Sequence, residues 1–213
     1  MSETAPTLSV DRMAFAYPHL PLFRDWSHDF PTGLTWVRGD NGCGKSTLLR
    51  LLGGALEPRA GSIRYGTIDA QTQPLDYRRH VYWCGPDGVA FDHLKPLEFF
   101  GFIAGLYPGF DVALPAMLVE ALGLEPFLER RIHQLSTGSR KKVAVIAAMA
   151  AMTPVVLLDE PLSALDRISS NVLKAHLASA SLQSTRVWIL ASHEPLGDDA
   201  RLAHRLDLPS NAG

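Results

Sequence analysis

Gly39-Asp40-Asn41-Gly42-Cys43-Gly44-Lys45-Ser46-Thr47 constrains the fold more than any other stretch of the 213 residues. It follows a short apolar run, Leu34 to Val37, and leads into Leu48, Leu49, Leu51 and Leu52 at helical spacing, closed by Gly53-Gly54. A strand that turns through glycines into a helix aims several backbone N–H groups at one point. The helix adds the positive end of its dipole there. The Lys45 ammonium is placed to neutralise outer phosphates, and the Ser46 hydroxyl to ligate Mg²⁺, a hard cation that prefers oxygen. Loop and context together predict an α/β chain that binds a nucleotide by its phosphates. Cys43 falls at a free position of the loop and is read as incidental.

A second chemical feature lies 114 residues after Lys45. Val155 to Leu158 is an apolar run bounded by Pro154 and Asp159, as a buried strand would be. Ligands of open α/β sheets gather at the carboxyl ends of strands. Asp159 is therefore assigned to Mg²⁺, and Glu160 to orienting and polarising an attacking water. Downstream of a phosphate-binding loop, this reading is preferred to that of a solvated strand end.

Composition excludes several roles. Net charge is −2, with no basic stripe for nucleic acid or anionic lipid. Two cysteines, Cys43 and Cys84, make no disulfide framework and suit a reducing compartment. Met1 to Pro6 lacks the pattern of a cleaved signal. The most apolar stretch, Val143 to Leu158, is broken at Thr153-Pro154 and reads as a buried helix followed by a buried strand, too short to span a bilayer. Strands are expected near Leu8–Phe15, Phe23–Phe30 and Leu34–Val37, with short strands and turns over 62–83. Helices are expected over most of Pro96–Met152 and over Arg167–Ala180, with a last strand at Arg186–Ala191. The expected architecture is a core of about 1–85 and 153–213 interrupted by a helical insert of about 86–152.

Three weaker motifs fall in order around these two: Leu135-Ser136-Thr137-Gly138-Ser139 before a long helix, Ser163-Ala164-Leu165-Asp166 after the acids, and His193 after the last strand. With the glycine loop they resemble the ATP-binding subunit of ABC transporters over nearly the whole chain, from about Leu8 to Glu194. The resemblance implies a P-loop NTPase with a mixed β-sheet core, an antiparallel β subdomain and an inserted helical subdomain. It implies an ATPase that uses ATP and Mg²⁺. Gly39 to Thr47 matches Walker A and Val155 to Glu160 Walker B, with Glu160 as the catalytic glutamate. Tyr17 matches the aromatic that stacks on adenine, and His193 the switch histidine that contacts the γ-phosphate. Ser163 to Asp166 resembles the loop that communicates across a dimer. Ser136, Thr137, Gly138 and Ser139 resemble the family signature. There Ser136 and Gly138 would offer a hydroxyl and an N–H to ATP held by a second subunit.

The resemblance further implies a second ATP-binding subunit, a homodimer being favoured, and a transmembrane partner that would hold the chain at the cytoplasmic face of the cell membrane. Direct nucleic-acid contact is not expected. The alternative is a soluble ABC ATPase acting on nucleic acid or ribosomes. Such chains usually carry two ATPase domains or long coiled coils, and neither is present. The compact size, ending about 20 residues after His193, is similar to the small bacterial exporter type, including the haem exporter of cytochrome c maturation. Leu106-Tyr107-Pro108-Gly109-Phe110-Asp111 points the same way. Two departures stand out. The signature reads Leu-Ser-Thr-Gly-Ser where Leu-Ser-Gly-Gly-Gln is usual. The glutamine that normally follows the strand near Val81-Tyr82-Trp83 is replaced by Gly85, with Asp87 the nearest candidate for its role at the metal.

Overall fold

The computed structural model describes residues 7–87, 89–182, 185–193 and 204–209. Its strands are β1 (Leu8–Tyr17), β2 (Leu20–Phe30), β3 (Gly33–Arg38), β4 (Ala60–Tyr65), β5 (Ile68–Asp69), β6 (Val81–Cys84), β7 (Val155–Asp159), β8 (Val187–Ala191) and β9 (His204–Asp207). Its α-helices are α1 (Lys45–Leu52), α2 (Pro74–His80), α3 (Pro96–Leu106), α4 (Leu114–Ala121), α5 (Thr137–Ala150) and α6 (Arg167–Leu182).

Every residue of β7 and of β8 is buried, the mark of parallel strands covered on both faces. They lie at the centre of a five-stranded sheet of order β6-β7-β8-β3-β9, parallel at every described pairing. Because successive side chains point to opposite faces, each strand feeds two cores. Val156, Leu158, Trp188 and Leu190 pack with α3, α5 and α6, whereas Val155, Leu157, Val187 and Ile189 pack with α1 and the second sheet. That second sheet is antiparallel, of order β2-β1-β4-β5. Parallel and antiparallel pairing are thus both present, divided between two sheets.

The strand expected at Leu8–Phe15 alternates only as far as Val10. Asp11 and Arg12 are both exposed, and pairing with β2 and β4 shifts there. Arg12 has φ 45°, so one residue is looped out and the apolar set resumes at Met13 on the inner face. The region 62–83, expected as strands and turns, also contains α2. Pro74 at the helix start, Asp76 in the first turn and Arg78, Arg79 and His80 in the last suit the helix dipole. Tyr77 fixes α2 to α1 by donating its hydroxyl hydrogen to the Leu52 carbonyl at 2.6 Å. The helices expected after Pro96 are α3, α4 and α5, and the broken apolar stretch is α5 followed by β7. β9 lies beyond the last strand expected from the sequence and extends the sheet past β3.

Candidate functional site

Strand register brings the distant motifs together. Val37 of β3 pairs with Ala191 of β8, and Ala191 pairs with Asp159 of β7. Three carboxyl ends therefore finish level, within two strand spacings of each other, about 10 Å. The glycine loop leaves one, Asp159 and Glu160 end another, and Ser192 and His193 follow the third. One step further across, Cys84 of β6 pairs with Leu158, which places Gly85 beside the same edge.

The glycine loop wraps a buried ammonium. Lys45 is 7% exposed, and its Nζ donates to the carbonyls of Gly39 at 2.7 Å and Asp40 at 3.1 Å. Gly44 caps α1 with φ 105°, a left-handed conformation that a side chain would disfavour. No acidic residue occupies the first turn of α1, so nothing opposes an incoming anion. A cleft of about 340 Å³ opens here, lined by Tyr17, Asn41, Gly42, Gly44 to Thr47, Glu160 and His193 among others. The Tyr17 hydroxyl lies 3.5 Å from that of Thr47, and its ring sits edge-on to Phe15. Asp40 and Asn41 line an adjoining polar hollow with Arg38 and His193. Cys43 is buried behind the loop.

Asp159 is 1% exposed, and neither carboxylate oxygen has a well-formed hydrogen bond to the described residues. Burial raises its pKa, and the nearby Ser46 hydroxyl pulls it back down. An orphaned buried carboxylate beside a hydroxyl is a donor set that fits a hard divalent cation bound mostly through phosphates and water. Among the described residues no three acidic, histidine or cysteine side chains are arranged to hold a metal ion by themselves. Glu160 continues the strand edge, its N–H donating to the Ala191 carbonyl at 2.8 Å, but with φ 47° it turns out of the sheet. Its Oε1 stands 3.4 Å from Nε2 of His193 and has no hydrogen-bond partner among the described residues.

The next turn is tied back by Ser163, whose hydroxyl donates to the Glu160 carbonyl at 2.8 Å. Asp166 caps α6, accepting from Ser169 N–H at 2.8 Å and Ser169 Oγ at 2.6 Å. Those hydrogen bonds, with Lys142 at 3.4 Å, hold its carboxyl well below the usual range. Ser136 caps α5, accepting from the N–H of Ser139 at 3.1 Å. Gly138 sits so close to this turn that a Cβ would lie 2.6 Å from the Ala164 carbonyl oxygen. Ser136 and Thr137 are exposed, and none of residues 136–139 lines the three clefts that Glu160, His193 or the glycine loop share. The structure thus unites Tyr17, Lys45, Ser46, Asp159, Glu160 and His193, and leaves the 136–139 segment outside.

Asp87 is exposed and lines a different hollow, of about 400 Å³, with Arg50, Trp83, Phe91, Phe102 and Tyr107. At Gly85, a Cβ would come within 3.1 Å of the Trp83 indole, which Arg50 covers from 5.8 Å. A side chain at position 85 would thus press on the edge of the indole. Sequence reasoning also passed over Lys141. It is 2% exposed, and its Nζ donates to the Pro86 carbonyl. The available signal was a lysine three and four residues before Ala144 and Val145, on the apolar face of a helix.

Residues 24–163 match the ABC transporter family. The cytochrome c biogenesis ATP-binding export protein CcmA of Pseudomonas syringae pv. syringae is 34% identical over 84% of this chain and 84% of its own. The thiamine import ATP-binding protein ThiQ of Yersinia pseudotuberculosis is 32% identical over 93% of this chain and 84% of its own. Among solved structures, the ATP-binding subunit of an ABC transporter superposes with a TM-score of 0.77 at 24% identity, covering 88% of this chain and 79% of that one. A putative ABC transporter ATP-binding protein from Pyrococcus furiosus gives 0.76 at 20% identity, covering 95% and 97%. These two establish the fold.

Proposed function

The chain belongs to the ABC transporter family as an ATP-binding subunit and is an ATPase; from that premise we propose that it energises a membrane transporter by closing on ATP with a second copy of itself and reopening on hydrolysis. The observation that carries this reading is the division of the site. Everything needed to hold and attack a γ-phosphate, short of a second set of donors, gathers in one cleft. The 136–139 segment stands apart at an exposed helix N-terminus.

Phosphoryl transfer to water asks for positioning and charge neutralisation more than for covalent chemistry. Lys45 exchanges the carbonyls of Gly39 and Asp40 for outer phosphate oxygens, and the N–H groups of the loop hold the rest. Tyr17 offers a face for the adenine. Ser46 and Asp159 would hold Mg²⁺, which when bound neutralises charge on the phosphates. Glu160 would accept from the attacking water, and His193, 3.4 Å from its Oε1, would orient the carboxylate and meet the γ-phosphate. Ser136 and the N–H of Gly138, at the positive end of α5, complete the phosphate shell of the partner copy. Loss of the γ-phosphate then removes the group both copies share, and the interface opens.

No helix of the described residues is long and apolar enough to cross a membrane, so this reading needs a membrane partner. The hollow beside α3, with Phe91, Phe102 and Leu106 exposed at its rim, offers that partner an apolar seat. It lies where Arg50 and Tyr82 to Gly85 of the core meet the helical insert, which we take as the unit of about 86–152. The chain then works at the cytoplasmic face, and the membrane subunit selects the cargo. The test is Glu160→Gln. With ATP, it is expected to run as a stable dimer in size-exclusion chromatography and to lose turnover. A variant that stays monomeric and hydrolyses ATP at the wild-type rate would overturn the reading.

A further inference from the structure

Beneath the loop that follows β6 lies a buried cluster the ATPase chemistry above does not use. Lys141 of α5, at 2% exposure, sends its ammonium into the sheet edge and donates to the carbonyl of Pro86. Its charge also reaches Cys84 at the end of β6 and Asp159 at the end of β7, lowering the pKa of both against the burial that raises them. Cys84 is fully enclosed, and its thiol is pushed up to about 12, so it stays neutral. Lys141 is thus a buried cation that touches the loop at Pro86 and acts on the ends of β6 and β7.

The position of this cation matters because of what is absent above it. Gly85 has no side chain to reach toward the metal, a Cβ there would meet the Trp83 indole at 3.1 Å, and Asp87 lines the hollow instead. Yet the loop still touches both sides: Cys84, Gly85, Pro86 and Asp87 line the hollow, and the Lys141 that grips Pro86 stands five residues past Ser136 on the same helix. A buried amine is costly unless it is hydrogen-bonded, and the Pro86 carbonyl is what accepts from this one, so loop and amine depend on each other.

We infer that Lys141 is a positioning residue: by gripping the Pro86 carbonyl beside Asp159 it holds the loop after β6 in register with the metal-binding edge and with α5, the part a side chain at position 85 cannot play here. This rests on the proposed ATPase cycle. It differs from a purely structural role in what it predicts for the loop, the metal and turnover taken separately.

The experiment compares Lys141→Met and Lys141→Arg in the full chain by amide hydrogen exchange without nucleotide, Mg²⁺ titration of ATP turnover, and thermal melting. Methionine matches the length of lysine and suits the apolar surroundings, so the fold is expected to survive with little change in Tm. Exchange over Tyr82 to Cys84, the laddered end of β6 that leads into the loop, is expected to quicken about tenfold while α5 stays protected. Turnover is expected to fall about tenfold with little change in KM for ATP. Half-activation by Mg²⁺ is expected at a lower concentration, because a cation that repels the metal has gone. Lys141→Arg, which keeps charge and donor, is expected to stay near wild type in all three.

Unchanged exchange over Tyr82 to Cys84, or turnover within about twofold of wild type, overturns the inference. So does a fall in turnover and Tm together that Lys141→Arg fails to restore. If Lys141→Met does not fold, Lys141→Gln, which keeps a shorter donor but no charge, is read against the same three outcomes. Absence of Glu160-dependent turnover in the wild type would sink the ATPase cycle instead, and the exchange arm, which uses no nucleotide, would still decide whether Lys141 holds the loop.

Discussion

The cleft at Lys45 and the tip at Ser136, to which we assign complementary halves of an ATP site, are built in opposite ways. The cleft is built by strand register, with Val37, Ala191 and Asp159 locked level in a buried parallel sheet. It encloses charge: a buried ammonium on backbone carbonyls and a buried carboxylate beside the Ser46 hydroxyl. The tip is an exposed helix start whose hydroxyl already caps its own helix. The comparison teaches that the chain commits its buried charges to the cleft where we place phosphate and metal. The residues proposed as a second set of donors lie at a locally capped, exposed helix start.

Removing the key carboxylate from the cleft should have the largest effect. Glu160→Gln keeps shape and loses the base, so turnover measured by phosphate release should fall by about a thousandfold. The tip comes next. Gly138→Val drives a side chain into the Ala164 carbonyl, 2.6 Å from the first added carbon. Turnover should fall by about a hundredfold, as when an oxyanion donor is lost. Binding of a fluorescent ATP analogue to the dilute chain should persist, because the cleft is untouched. A change in both would erase the distinction between the two regions.

Tyr17→Ala probes the mouth of the cleft. Losing a base-stacking ring should raise KM for ATP about tenfold and spare kcat. The smallest effect is expected at the turn joining the regions. Asp166 is held below its ordinary pKa of 3.8 by Ser169 and Lys142. Its contribution to stability is therefore present above that value and lost as pH falls through the lower folded value. Asp166→Ala should lower Tm by a few degrees at neutral pH. The gap to wild type should close on acidification, as read in melts at falling pH.

Both regions were legible in the sequence to different depths. The glycine loop and the run Val155 to Glu160 are local patterns whose chemistry travels with their spacing. The signature was legible only as a turn and a helix cap until its neighbours gave it context. What could not be read was pairing. Register between β3, β8 and β7 is set by long-range burial, and it alone makes His193 a neighbour of Glu160. The helix at Pro74–His80 carried its own dipole signals but was masked by the flanking β-rich segment. Lys141 and Trp83 escaped because a lysine or a tryptophan in sequence does not announce which space it fills. Gly85 shows the limit well: the missing glutamine was visible, and the indole and buried amine that occupy its surroundings were not.

The central claim is that one copy holds ATP and the other completes its site. Mixing Glu160→Gln with Gly138→Val, each inactive alone, tests it most directly. Half of the randomly paired dimers would then contain one site with an intact cleft and an intact tip, so turnover should recover to roughly a quarter of wild type. A mixture no more active than the sum of the two variants would contradict the account.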